Sequence, residues 1–334
     1  MSTATKAVVR SNSTPCIMRD VLEFVPKTPE TKTAVLDLLR RIEERRGRRL
    51  VCFYQDHVRG SEGFDGEALQ RFRRALDALG HVEKVTVLVE SPGGDIHAAY
   101  QMVRLFRDRA KDVEILISRW AKSAATFFCL GADAIWMADT AEMGPLDAQL
   151  SDPKGSLVLS SALNTFKSLE YLRQFSLETL DYFVGYLMEP EPAMDYPYAL
   201  EAAGPLVSQI MTPLFQQVAP RQLGEARMQL AVAEDYSKRV MARYSYSDWS
   251  PARIQSVVRR LVWDYPAHSF VIDLDEAQAL GLHAHRLDDE TAQLCEQLLD
   301  VVHGCMGIRP LDDELDESTP LVIAGERHEN GHAD

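Results

Sequence analysis

Between residues 48 and 139, short apolar runs alternate with segments of helical periodicity, and this alternation restricts the fold more than any other feature. The apolar runs contain β-branched and aromatic residues, as buried strands do, and read RRLVCFYQD (48–56), KVTVLVE (84–90), DVEILIS (112–118) and AIWMAD (134–139). Amphipathic stretches at 63–79 and 95–110 separate the first three runs. The pattern predicts an α/β fold, a mostly parallel sheet with flanking helices.

The segments around this core are predicted to be mainly helical. SAATFFCLGAD (123–133) is apolar on all sides, which indicates a helix inside the core. Residues 268–285 return to a short strand, a helix and a turn at Gly281. We predict a poorly ordered N-terminal tail (1–30), one domain (31–300) with a helical C-terminal elaboration (157–262), and an acidic C-terminal tail (301–334).

Composition excludes several classes of protein. The net charge of −14 argues against a nucleic-acid partner, which would need a basic patch. Five scattered cysteines without a C-x-x-C pair indicate a reducing compartment, with no disulfide framework and no zinc site. No run approaches the ~18 apolar residues of a membrane span, and the N-terminus has no signal-peptide core. We therefore expect a soluble cytoplasmic protein without a metal or other cofactor.

Two strand ends carry the residues that suggest chemistry. The strand at 84–90 ends in SPGG (91–94), where Gly93 and Gly94 allow unusual backbone angles and can present N–H groups to a developing negative charge. Taken alone, this segment is more simply an ordinary tight turn with a glycine cap. The next strand ends at AKSAAT (121–126), where Ser123 precedes the buried helix and can be a helix cap or a nucleophile. Open α/β sheets place their sites at these strand ends, so Ser123 and the N–H groups of Gly93, Gly94 and Ala124 form a candidate nucleophile and oxyanion hole.

Four segments, taken in order, resemble the serine dehydrogenase proteinase family. They are ESPGGDIHAAYQMVRLF (90–106), AKSAATFFCLGADAIWM (121–137), AEMGPLDAQL (141–150) and YPAHSFVIDLDEAQALGL (265–282). That family groups with signal peptide peptidase A and the Clp proteases in the Clp/crotonase superfamily. The resemblance implies a Clp/crotonase-like fold, a peptide substrate, Ser123 as nucleophile, Gly93, Gly94 and Ala124 at the oxyanion hole, and a homo-oligomer. It does not extend to a dinucleotide fingerprint, so we reject an NAD enzyme.

The general base is open at the level of sequence. The Clp proteases carry a triad histidine at a position that here falls near 148, where this chain has Asp147 and Ala148. Signal-peptide-peptidase-like relatives carry a lysine at a spacing that Lys167 matches, 44 residues after Ser123, and apolar burial would lower its pKa toward neutrality. His268 is the rival base, with Asp147 as its partner in a permuted triad. Lys122, next to Ser123, is assigned a structural or electrostatic role.

The favoured function is a soluble serine peptidase with a Ser–Lys dyad. One alternative is a crotonase-like acyl-CoA enzyme, which would use the oxyanion hole but would give Ser123 no catalytic role. The other is a catalytically silent module that holds a peptide or a partner protein in the same cleft. An activating partner protein is compatible with each of these functions.

Overall fold

The computed structural model describes residues 29–54, 64–147, 149–150, 160–189 and 194–304. The chain divides into two compact units. The first unit comprises Met1–Met143 together with Ile272–Asp334, and the second unit comprises Gly144–Val271. Apart from Pro29 and Glu30, the predicted N-terminal tail lies outside the described residues, as does the predicted C-terminal tail beyond the helix that ends at Gly304.

The first unit contains the sheet and the helices around it. Its elements in chain order are α1 (Pro29–Arg46), β1 (Arg49–Tyr54), α2 (Gly66–Leu79), β2 (Val82–Ser91), α3 (Ile96–Arg109), β3 (Ala110–Ala121), α4 (Ala124–Cys129), β4 (Ala134–Met137), β5 (Glu142–Met143), and after the second unit α9 (Leu274–Ala279), β8 (Ala284–Arg286) and α10 (Asp289–Gly304). The strands are ordered β1–β2–β3–β4–β8, with β5 beside the end of β3, and all of these pairs are parallel.

The two faces of the sheet are covered by different helices because alternate residues of a strand point to opposite sides. Leu50 and Cys52 of β1 pack in one apolar cluster with α1 and α10, which cover that face. Phe53 follows Cys52 and points to the opposite face, where its ring contacts the rings of Phe64, Phe72 and Phe128. The sheet is therefore buried on both faces, as expected for a parallel sheet, and its strands read as continuous apolar runs.

The second unit is almost entirely helical. Its elements are β6 (Gln149–Leu150), β7 (Ser160–Ser161), α5 (Ala162–Met188), α6 (Tyr196–Phe215), α7 (Pro220–Arg243), α8 (Pro251–Arg259) and a π-helical turn (Arg260–Asp264). α5 and α6 pack through small side chains, with Val184, Ala199 and Ala203 at the centre. None of the helices in the described ranges has the length and apolar composition that crossing a bilayer requires.

These elements confirm the predicted fold class. The sheet is parallel, helices flank it, and a helical region follows in the chain. α4 is buried at every position, as its sequence indicates. The strand expected near 268–274 is reduced to a single antiparallel bridge between Ile272 and Met143, and β8 forms instead at 284–286.

Candidate active site

The two sequence segments that suggested chemistry lie side by side in the first unit. β2 and β3 are neighbours and run parallel, so both chains leave the sheet at the same edge. Ser91, the last residue of β2, pairs with Ala121, the last residue of β3. The backbone N–H of Lys122 then donates to the carbonyl of Ser91 at 3.0 Å. The SPGG turn and the Ser123 turn thus start from a shared, hydrogen-bonded point.

The SPGG turn has a backbone that only glycine adopts readily. Gly93 and Gly94 have φ of 112° and 142°. Gly93 also lies directly against the Ser123 turn, since an added Cβ would come within 2.8 Å of both the Lys122 carbonyl oxygen and Ser123 Cβ, and within 3.2 Å of Ala124 N. Both glycines are therefore required by conformation, and Gly93 is also required by close packing against the candidate nucleophile.

Ser123 has a strained backbone, with φ of 51° and ψ of −117°. Within the described ranges it is the only non-glycine residue with positive φ. A strained conformation of this kind costs on the order of 1–3 kcal/mol and persists where the surrounding structure enforces it, often at functional sites. Its hydroxyl does not cap α4, so the capping role that the sequence allowed does not account for this serine.

The N–H groups near Ser123 differ in what they already bind. Gly93 N–H donates to Ser91 Oγ at 3.0 Å. Ala124 is the first residue of α4, where a backbone N–H has no partner within the helix. Gly94 follows Gly93 directly, before the cap residue of α3, Asp95. The N–H of Gly93 thus orders the turn, which leaves Gly94 and Ala124 as the candidate oxyanion donors.

Lys122 lies beside the serine in sequence, but its side chain forms other contacts. Lys122 Nζ is 2.8 Å from Glu142 Oε1 and donates to the Met143 carbonyl at 3.1 Å. Both partners belong to β5, which pairs with the end of β3. The lysine therefore fastens β5 beside the Ser123 turn, in line with the structural role assigned from sequence.

In the second unit, Asp147 and His268 form a pair. Asp147 Oδ2 lies 3.1 Å from His268 Nδ1, a distance typical of an ion pair, although the geometry falls short of a directed hydrogen bond. The other carboxylate oxygen accepts the backbone N–H of Leu163 at 2.8 Å. The Asp147 side chain is fully buried, whereas His268 is partly exposed. A buried carboxylate at Nδ1 orients an imidazole, as an aspartate does in a Ser–His–Asp triad.

Lys167, also in the second unit, is not buried. It lies on α5 with its side chain 37% exposed, and its ammonium is 3.3 Å from Glu170. It contributes to a cleft of about 670 Å³, lined by Asn164, Lys167, Ser168, Tyr171, Leu172, Leu214, Gln217 and Val218. Apolar side chains therefore lie beside this lysine, but the burial that would make it a neutral base is not observed.

A family model matches the part of the chain that contains both turns. The family model of the ClpP-like SDH-type serine proteinases matches residues 21–166. This match confirms the resemblance expected from sequence, and it includes both the SPGG and the Ser123 turns. It ends before Lys167 and His268.

Relatives among curated and solved proteins are distant. One uncharacterized protein of Methanocaldococcus jannaschii is 26% identical over 139 residues, covering 39% of this chain and 48% of the relative. A second from the same organism is 24% identical over 135 residues, covering 38% and 46%. The chain therefore spans about half the length of the curated relatives it matches. A solved structure of a membrane-bound stomatin-specific protease, a lysine-to-alanine mutant in complex with a substrate peptide, is 18% identical, with a TM-score of 0.27, 46% coverage of this chain and 64% of that one.

One contributor to the site was not expected from sequence. Phe64 N–H donates to the Gly93 carbonyl at 2.8 Å, and the Phe64 carbonyl accepts from Asp95 N–H. The residue thus pairs its backbone with the SPGG turn, like a one-residue strand. The signal in the sequence is weak, since Phe64 lies in GFDG, which reads as the start of a helix.

Proposed function

We propose that this chain is a serine peptidase in which Ser123 is the nucleophile. The observation that carries the proposal is the strained Ser123 backbone, pressed against Gly93 at the end of neighbouring parallel strands. An ordinary cap would adopt relaxed angles and bond to the helix N–H groups, so the strain needs another explanation. Holding a serine oxygen at a sharp strand-to-helix turn, beside the N–H groups of a helix start, is what nucleophilic attack on a carbonyl requires.

In the proposed reaction, Ser123 Oγ bonds to the carbonyl carbon of a peptide while its proton passes to the general base. The carbonyl oxygen becomes an oxyanion, which accepts hydrogen bonds from Gly94 and Ala124 N–H. The base then gives its proton to the leaving amine as the C–N bond breaks. Water, deprotonated by the same base, hydrolyses the acyl-enzyme and restores Ser123.

For the base, we favour His268 assisted by Asp147 over the Ser–Lys dyad with Lys167. The pairing of His268 with a fully buried carboxylate supports this choice, because it fixes the ring and compensates the charge that the ring acquires. Lys167 is partly exposed to water and lies 3.3 Å from the Glu170 carboxylate. A lysine base requires the opposite environment.

A fluorophosphonate probe tests the proposed nucleophile, because it phosphonylates activated serines with loss of fluoride. We expect mass-spectrometric mapping to place the adduct on Ser123, and Ser123→Ala to abolish it. Ser237→Ala is a matched control, since that serine is buried and its hydroxyl donates to the Ala233 carbonyl. An unlabelled wild-type protein would favour the silent binding module, and acyl-CoA turnover that survives in Ser123→Ala would favour the crotonase-like alternative.

We also propose that the protein assembles with copies of itself. Large apolar side chains are exposed on α5 and α6, among them Tyr182, Tyr198, Leu206 and Ile210. Tyr196–Phe215 contains a single charged residue, Glu201. Two copies of an acidic chain repel least where they meet through an uncharged surface. The proposed substrate is a peptide, and an activating partner protein is compatible with the proposal. A cytoplasmic location is supported by the buried free thiols Cys52, Cys129 and Cys295.

A further inference from the structure

An irregularity in the sheet lies immediately before the two turns of the candidate site. β2 and β3 pair regularly up to Val89 and Ile117, and pair again at Ser91 and Ala121. Between these points β2 has one residue, Glu90, whereas β3 has three, Ser118–Trp120. Bulges of this kind bend a strand and redirect the chain that follows. This bulge therefore sets the direction in which both the SPGG turn and the Ser123 turn leave the sheet.

One side chain of the bulge, Arg119, connects three elements of the first unit. Its guanidinium lies 3.8 Å from Glu90 Oε1 on β2. It also donates to Glu296 at 2.9 Å and to Asp300 at 2.5 Å, both on α10. Ser118, the neighbouring bulge residue, donates to Glu296 as well. The bulge is thus fastened to the strand beside it and to the last helix of the unit.

The charges in this network make Arg119 hard to replace. Glu90 is fully buried, and it shares the guanidinium with two further carboxylates. Burial alone would lower the pKa of Arg119, but its hydrogen bonds to Glu296 and Asp300 raise it, so it stays charged. Removing a guanidinium from beside a buried carboxylate is unfavourable, because the remaining charge has lost a compensating partner.

The packing downstream leaves little room for a change in the bulge. Gly93 is separated from the Ser123 turn by less than the size of a methyl group. Thr126 Oγ1 donates to the Ala121 carbonyl, and Lys122 N–H donates to the Ser91 carbonyl, so both turns follow any shift of the strand ends. Misplacement of reacting groups by about 1 Å can cost 10²-fold in rate.

We propose that Arg119 is a positioning residue, which holds the bulge against Glu90 and α10 and so aligns Ser123 with the N–H donors of Gly94 and Ala124. This inference rests on the proposed function. It assigns to α10 a role in the site through Glu296 and Asp300, although α10 contributes no residue to it.

The test compares Arg119→Met with Arg45→Met. Arg45 is the matched control because it also ties α10 to the rest of the unit, through Asp288 and Glu290, but lies on α1 and not in the bulge. We expect Arg119→Met to slow fluorophosphonate labelling of Ser123 by about 10–100-fold. With p-nitrophenyl acetate as substrate, kcat should fall while KM changes little. Arg119→Lys, which keeps the charge near Glu90, should recover part of the rate. Arg45→Met should label at the wild-type rate.

Hydrogen exchange separates failure of this inference from failure of the proposed function. Amides of 91–97 and 121–126 should exchange faster in Arg119→Met than in Arg45→Met. If the wild-type protein is never labelled but hydrogen exchange changes as expected, the peptidase proposal fails, and the dependence of the two turns on Arg119 is supported. Labelling at the wild-type rate in folded Arg119→Met, or equal slowing in Arg45→Met, would overturn the positioning role. If Arg119→Met does not fold, Glu296→Gln and Arg119→Lys provide the same comparison.

Discussion

At the scale of single residues, the site depends on one glycine that no other residue can replace. Gly93 combines a φ of 112° with contact against Lys122, Ser123 and Ala124. We expect Gly93→Ala to reduce phosphonylation of Ser123 by about 10²–10³, the loss associated with one misplaced oxyanion donor. Gly80→Ala is the control, because Gly80 has φ of 72° but open space where a Cβ would lie. If the two variants react equally fast with the probe, the contact with the Ser123 turn has no role in reactivity.

The identity of the general base is also decided by single residues. We expect His268→Gln to slow Ser123 labelling by about 10²–10⁴ and Lys167→Met to leave it within a few-fold of wild type. Asp147→Asn should slow labelling as well, since it removes the charge beside His268. His283→Gln serves as control, because that histidine belongs to the first unit, where it contacts the Asp133 carbonyl. A large loss in Lys167→Met with an active His268→Gln would restore the Ser–Lys dyad.

At the scale of helices and strands, the sequence predicted what depends on local pattern. The four strands β1–β4 and the buried helix α4 follow from apolar periodicity, and the two turns from their glycines and from Ser123. β8 was missed because AHR has no strand pattern and is a strand only by pairing with β4. His268 and Asp147 are 121 positions apart in the chain, so no local sequence pattern could predict that their side chains lie 3.1 Å apart. The exposure of Lys167 depends on how α5 packs, which local neighbours do not determine.

The start of α10 offers a test of electrostatics within one element. Asp288 accepts the Thr291 N–H at 3.0 Å and pairs with Arg45. Burial alone would raise the pKa of Asp288, but the hydrogen bonds from Thr291 and Arg45 lower it to about 2. Because the folded-state pKa lies below the ordinary value of about 3.9, the carboxylate stabilises the fold at neutral pH, and this contribution is lost as the pH falls toward 2.

We therefore expect Asp288→Asn to lower the free energy of unfolding at pH 7 by about 0.5–1 kcal/mol, because asparagine keeps the capping oxygen but removes the charge beside Arg45 and the helix N-terminus. The difference from wild type should shrink as the pH is lowered toward 2. Urea unfolding at several pH values measures it, and Asp289→Asn, whose carboxylate is 84% exposed, is the control. A difference that stays constant with pH would show that the charge of Asp288 contributes nothing.

At the scale of the whole molecule, the chain is strongly acidic, whereas the exposed surface of α6 is almost uncharged. The chain carries a net charge of −14, which keeps copies apart at most of their surface. Yet α6 presents Tyr198, Leu206 and Ile210 to solvent at spacings of four or eight residues, one position before the buried residues Ala199, Val207 and Met211. Exposed apolar stripes of this kind are typical of interaction surfaces. The helix therefore has two adjacent apolar ridges, and only one of them is covered within the described chain.

This arrangement predicts that self-association depends on α6. We expect light scattering at micromolar concentration to give a mass above that of one chain, 37.5 kDa. Ile210→Glu should shift the protein toward the monomer, because a carboxylate would be buried between copies without a partner. Met228→Glu is the control, since Met228 is 62% exposed on α7 and gains the same charge. A wild-type monomer, or an assembly that Ile210→Glu leaves intact, would remove α6 as the contact, whereas binding of wild type to vesicles of neutral phospholipid would indicate that a lipid surface covers this helix.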